Sequence, residues 1–190
     1  MSGLASLVLL ESELGLLDNH LKEVIQNTQK LHPKTTDCFV YCLGGCLPAR
    51  AEIHLRQLSL FGMVARLRDD PLNIHARNVL TETKKSAKSW FTQIREISLQ
   101  YRLPHPLTIL DNPPSKETYK KMVKSLVLDF WENKLRGEAC LLPSLEYCKP
   151  SFMSLASPHP IWTTARGNPH EVAKSIQQAR FLSGRYRTEY

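Results

Sequence analysis

Pro113-Pro-Ser-Lys-Glu-Thr-Tyr-Lys-Lys-Met-Val-Lys-Ser-Leu-Val-Leu-Asp-Phe-Trp131 is the stretch that decides the fold class. Tyr119, Met122, Val123, Leu126, Val127, Phe130 and Trp131 recur at spacings of three and four, which is the apolar stripe of an amphipathic α-helix. Pro113-Pro114-Ser115 announces its start. Lys116, Lys120 and Lys124 stand four apart, about 100° round from the stripe, so they form a basic row beside it. A helix so apolar on one side must pack against other elements, and the rest of the chain supplies them as further helices.

Upstream, Leu7, Leu10, Leu14, Leu17, Leu21, Val24 and Leu31 keep a three-and-four spacing, predicting a helix of about eight turns that ends before Pro33. Cys38, Tyr41 and Cys42 suggest a short helical turn stopped by Gly44-Gly45. Pro48 opens a helix from Ala49 to Leu67 that is apolar nearly all round, with Arg56, Ser59 and Arg66 as its narrow wet stripe. Pro71 breaks that helix, and Asn73 to Leu80 makes a shorter one. Ser86 is the candidate cap for Ala87 to Tyr101, with Trp90, Ile94, Ile97 and Tyr101 on its face, ended by Pro104 and Pro106. After Pro143 the chain reads as extended and irregular until Asn168, where Asn168, Pro169 and Glu171 form a capping arrangement for a last helix that stops at Gly184.

No stretch alternates apolar and polar residues over strand length. The expectation is therefore an all-α fold: a single domain of six or seven packed helices with proline-rich connectors and a partly extended segment near 143–167. Its parts are a helical bundle over 1–142, a connector over 143–167 and a capped helix with a basic, aromatic tail over 168–190, packed together. Phe61, Trp90, Phe130 and Trp131 are the expected large core residues.

The chain of 190 residues carries a formal net charge of +7. Residues 1–31 hold Glu11, Glu13, Asp18 and Glu23 against Lys22 and Lys30, a balance of −2, which leaves +9 for the remainder. A basic body fits a polyanionic partner, nucleic acid before an acidic membrane surface, and it also serves simple solubility. No apolar run approaches the roughly 20 residues that span a bilayer, and no basic segment precedes Ala5 to Leu10, so neither a membrane span nor a signal peptide is expected. The five cysteines, Cys38, Cys42, Cys46, Cys140 and Cys148, contain no C-x-x-C and are odd in number, which points to reduced thiols inside a cell.

Catalytic and metal-binding patterns are sparse. Cys38, Cys42 and Cys46 are four apart, but Gly44-Gly45 interrupts the helix that would align them, and buried thiols are the simpler reading. Asp69-Asp70 is the only adjacent acidic pair. Polymerases use paired aspartates to hold two metal ions, but this pair precedes Pro71 and reads as a surface helix stop. His105 and His159 lie between prolines as rigid-loop residues. No nucleophile–base set, Walker loop or dinucleotide fingerprint occurs, so neither a catalytic residue nor a metal or other cofactor is expected. Basic and aromatic residues interleave at the C-terminus in Arg180, Phe181, Arg185, Tyr186, Arg187 and Tyr190. Arginine holds phosphate and an exposed tyrosine stacks on a base. With Lys116, Lys120 and Lys124, the residues Arg180, Arg185, Tyr186 and Arg187 are the candidate nucleic-acid contacts.

Three blocks of the chain resemble the region downstream of the reverse transcriptase domain in animal non-LTR (LINE-type) retrotransposon polyproteins. The first is Leu17-Asp-Asn-His-Leu-Lys-Glu-Val-Ile-Gln-Asn-Thr-Gln-Lys-Leu31 with Gly45-Cys-Leu-Pro48 and Ile53-His-Leu-Arg56, similar to the helical segment where a thumb would lie. The second is Ser89-Trp-Phe-Thr-Gln-Ile-Arg-Glu-Ile97 with Tyr101-Arg-Leu-Pro-His-Pro-Leu107. The third is Phe152-Met-Ser-Leu-Ala-Ser-Pro-His-Pro-Ile-Trp162, Asn168-Pro-His-Glu-Val-Ala-Lys174 and Gln178 to Tyr190. The resemblance implies a detached thumb-and-connector region that starts after the palm aspartates and stops before a Cys/His knuckle. It implies contact with RNA or an RNA–DNA hybrid and transfers no catalytic residue. Two alternatives stand beside it: a helical interaction module that forms a homodimer through the Leu7–Leu31 seam, and a retroelement relic without function.

Overall fold

The computed structural model describes residues 2–67, 70–82, 89–145, 154–155, 157–165 and 168–184. Among them are nine α-helices and no strand: α1 (Glu11–Thr28), α2 (Asp37–Gly44), α3 (Ala49–Arg66), α4 (Pro71–Thr81), α5 (Trp90–Gln100), α6 (Pro106–Asp111), α7 (Lys116–Cys140), α8 (Pro160–Thr164) and α9 (Pro169–Leu182). The all-α expectation holds, and seven of these helices have at least seven residues. No described helix is long and apolar enough to cross a membrane.

Prolines open four of the described helices. Pro71, Pro106 and Pro160 each occupy the first helical turn, as Pro169 does. The residue before each proline caps the helix with its side chain: Asp70 accepts from the Leu72 N–H at 2.8 Å, His105 from Leu107 at 3.3 Å, His159 from Ile161 at 3.2 Å and Asn168 from His170 at 3.0 Å. A proline at this position gives up an N–H that has no intrahelical partner anyway, and its fixed φ already suits the helix. Three expectations change accordingly. Asp70 starts α4 and stops nothing, while Asp69 lies outside the described residues. A helix, α6, begins at Pro106, where the sequence suggests only a stop. The 143–167 connector holds a 3-10 turn at Pro143–Leu145 and the helix α8. The α5 cap is Ser89, which accepts from the Thr92 N–H at 3.2 Å; Ser86 lies outside the described residues.

The chain divides into two compact units, one of residues 1–14 and 50–127, the other of residues 15–49 and 128–190. In the first, Leu58, Phe61, Ala76 and Ile94 are fully sealed. Polar side chains lock its helices together. Asn73 donates to the carbonyls of Val64 (3.2 Å) and Ala65 (3.4 Å), closing the end of α3. Arg77 donates to Asn73 at 3.0 Å and to the Leu110 carbonyl at 2.6 Å, and it pairs with Asp111, so α4 is fastened to the end of α6. A 3-10 turn (Ser2–Ser6) and the irregular residues 7–10 precede α1, so Leu7 and Leu10 stand outside the helix expected to begin there.

In the second unit, Phe39, Val40 and Leu43 of α2 are buried with Trp131, Leu135 and Ala139 of α7. The Tyr41 hydroxyl donates to the Asp18 carbonyl at 3.0 Å. Glu132 accepts from the Leu155 N–H at 3.0 Å and from the Ser154 hydroxyl at 3.3 Å, and the Ser175 hydroxyl joins α9 to the Ile161 carbonyl of α8 at 2.9 Å. Gly45 ends α2 at φ +61°, and its missing Cβ leaves room for the Ser157 backbone, which a Cβ would meet at 2.2 Å. Cys38 and Cys42 are buried thiols, and burial pushes the Cys38 pKa up.

Tyr119, Val123, Val127, Trp131, Leu135 and Ala139 are the buried row of α7, each four residues from the last. Four residues turn an α-helix by about 40° more than a full turn, so this row winds through about 200° and its two ends face different ways. Of the four expected core aromatics, Phe61 and Trp131 are buried, whereas Trp90 and Phe130 are only half-buried. Phe130 stacks edge-on against Trp131 at 5.8 Å. Phe91 takes the interior position expected of Trp90, whose indole N–H instead donates to the Ala5 carbonyl at 2.8 Å.

Candidate nucleic-acid interface

Lys116, Lys120 and Lys124 occupy the first three turns of α7 and are all exposed. No carboxylate forms an ion pair with any of them among the described residues. Lysine ammonium groups held apart in this way keep their hydration and offer separate point charges at the rise of a helix, about 6 Å between successive ones.

The wall facing Lys120 and Lys124 comes from α3. There the two helices approach closely because residue 62 is glycine: a Cβ at that position would lie 2.3 Å from the Tyr119 ring. Beside this contact a groove of about 210 Å³ opens between α3 and α7. Leu55, Tyr119 and Val123 are its more buried lining, and Arg56, Lys120 and Lys124 stand exposed along its edges with Ser59. Arg56 and Ser59 are two members of the wet stripe that the sequence shows on α3. Their role was hidden there, because one helix alone does not reveal which other helix faces its polar side. The signal was the pair of polar residues one turn apart in that narrow stripe.

Tyr119 is nearly sealed, and burial pushes its phenol pKa up against a smaller opposing effect of Arg66. At neutral pH it is a neutral hydroxyl with no base character. Its oxygen has no hydrogen-bond partner among the described residues. The groove thus combines an apolar floor with three cations, an arrangement suited to binding an anion that carries an apolar or planar part.

The other candidate residues fall elsewhere. Arg180 belongs to the second unit, where its Nε donates to the Lys30 carbonyl at 2.9 Å. That carbonyl follows the end of α1, where Lys30 adopts the left-handed conformation (φ 54°) and the Leu31 N–H returns to the Gln26 carbonyl at 3.0 Å. Arg180 therefore serves a helix end. Arg185, Tyr186 and Arg187 lie outside the described residues. No group of three or more His, Cys, Asp or Glu side chains converges as a metal site among the described residues. Comparison with protein families, with curated proteins and with solved structures finds no match.

Proposed function

We propose that this chain is a non-catalytic helical segment, of the kind that follows a reverse transcriptase domain in non-LTR retrotransposon polyproteins, and that it holds RNA or an RNA–DNA hybrid by its phosphates without choosing sequence. One observation carries this reading: the exposed row of Lys116, Lys120 and Lys124, without ion pairs to carboxylates among the described residues, with Arg56 across the α3–α7 groove. Cations spaced along a helix meet successive backbone phosphates and release the counterions condensed there. The resemblance of the sequence blocks supplies the context, and the +7 charge of the chain supplies long-range attraction.

The test is binding of the purified chain to labelled single strands, duplexes and hybrids across a salt series. If Lys116, Lys120, Lys124 and Arg56 neutralise phosphates together, log K falls with log salt at a slope of about −3 to −4 on duplexes and about −3 on single strands. Lys120→Ala or Lys124→Ala weakens every sequence alike and flattens the slope by about one. Affinity indifferent to salt, or a dimer that binds no nucleic acid, would overturn the reading.

A further inference from the structure

The groove between α3 and α7 is more than a row of charges, and what it adds is an apolar floor set between them. Val123 and Tyr119 are buried at its base, Leu55 is half-buried, and Arg56, Lys120 and Lys124 rise on both sides. Its volume of about 210 Å³ lies below the roughly 300–1,000 Å³ of sites that enclose whole drug-sized ligands. That volume is of the order of one ring system and short of a whole drug-sized molecule. A duplex presents only its charged backbone to such a surface, because its bases are stacked and paired. An unpaired nucleotide presents a planar, largely apolar base with a phosphate on each side.

Resting on the nucleic-acid reading above, we infer that the α3–α7 groove takes one unpaired base against Leu55, Tyr119 and Val123, with the flanking phosphates on Lys120 and Lys124 of one wall and Arg56 of the other. The charge complementarity selects a polyanion, and the apolar floor between the cations selects single strands over duplexes. Base seating here is sequence-tolerant, since every base has an apolar face. It is also insensitive to salt, unlike the phosphate contacts, because removing apolar surface from water involves no counterion.

The experiment compares the full chain bound to a short oligothymidylate and to an abasic strand of the same length and charge, with a duplex as reference, at several salt concentrations. The base-bearing strand is expected to bind on the order of 5- to 100-fold tighter than the abasic one, with a ratio that holds as salt rises. Ser59→Leu, which sets an aliphatic side chain in the mouth of the groove, is expected to abolish that ratio and leave duplex affinity and its salt slope unchanged. Ser59→Ala, which leaves the mouth open, is expected to keep the ratio. Because residue 59 is exposed, circular dichroism of both variants should match the parent. Equal affinity for base-bearing and abasic strands, with salt-dependent binding intact, overturns the base site and leaves the phosphate reading standing. A ratio that survives Ser59→Leu places base contact elsewhere and overturns it too. No binding to any strand removes both readings together. An acidic peptide that binds the parent but not Ser59→Leu, while strands bind both equally, assigns the groove to a protein partner.

Discussion

Nδ1 of His54 lies 2.8 Å from the hydroxyl oxygen of Tyr101, and both side chains are sealed in the interior of the first unit. The rings meet edge-on at 5.6 Å. Burial, reinforced by the nearby Arg50 and opposed by Glu11, lowers the His54 pKa to about 4. The imidazole is therefore neutral at physiological pH, and α3 is joined to the residue that ends α5 by one buried neutral hydrogen bond.

Acid is expected to weaken this unit through His54. Its folded-state pKa is depressed, so its contribution is fully present above the unfolded value near 6.5 and is lost as pH falls toward about 4. The shift corresponds to a loss on the order of 3 kcal/mol across that window. Denaturant titrations between pH 7.5 and 4 should show this slope in the parent and a shallower one in His54→Leu. Tyr101→Phe, which orphans the imidazole nitrogen, should cost about 1–3 kcal/mol at pH 7. Equal pH slopes in the parent and His54→Leu would show that His54 is not the titrating group.

The segment before α1 is held by side chains of α3 and α5. Trp90 donates to the carbonyl of Ala5, in the 3-10 turn Ser2–Ser6, at 2.8 Å, Gln57 to Leu7 at 3.1 Å and Gln93 to Leu9 at 3.0 Å. Gln57 also donates to Gln93 at 3.2 Å. Gln57→Leu should leave the Leu7 carbonyl unpaired and cost about 1–3 kcal/mol. Limited proteolysis should then cut near Leu7 to Leu10 faster than in the parent, while cleavage elsewhere is unchanged.

Tyr119 is tolerated only because Gly62 has no side chain. Gly62→Ala should force the ring or α7 to shift and cost about 1–3 kcal/mol, even though alanine favours helix. Tyr119→Phe should go the other way. It removes a buried hydroxyl that has no hydrogen-bond partner among the described residues, and stability should hold or rise by about 1 kcal/mol. Thermal melts of the two variants, read side by side, test both signs.

Arg180 should act on stability and not on nucleic acid. Its hydrogen bond to the Lys30 carbonyl places a cation where the α1 dipole is negative. Arg180→Ala is expected to lose about 0.3–1 kcal/mol and to leave the salt slope of binding unaltered. A slope flattened by one would return Arg180 to the phosphate contacts.

The half of this fold that was legible in the sequence is the half governed by neighbours within a turn or two. The stripe from Tyr119 to Trp131 specified α7, and the near-total apolarity of Ile53 to Val64 specified a buried α3, because helical periodicity depends only on spacing along one chain. The Asn168-Pro169 start was equally plain, since cap, proline and first turn are contiguous. The same local signal stands at Asp70-Pro71, His105-Pro106 and His159-Pro160, where the sequence alone suggests a helix stop at the first two and a rigid loop at the third: a proline disfavours helix before it and permits helix after it, and only the residues that follow tell which matters. Packing decided the remainder. Trp90 and Phe91 are adjacent, and the burial of Phe91 depends on where α4 lies. Gly62 carries no helix-forming logic until the Tyr119 ring stands against it. The groove that joins Arg56 and Ser59 to Lys120 and Lys124 exists only once two helices far apart in the chain are laid side by side, because a binding surface is a relation between faces and periodicity describes one face at a time.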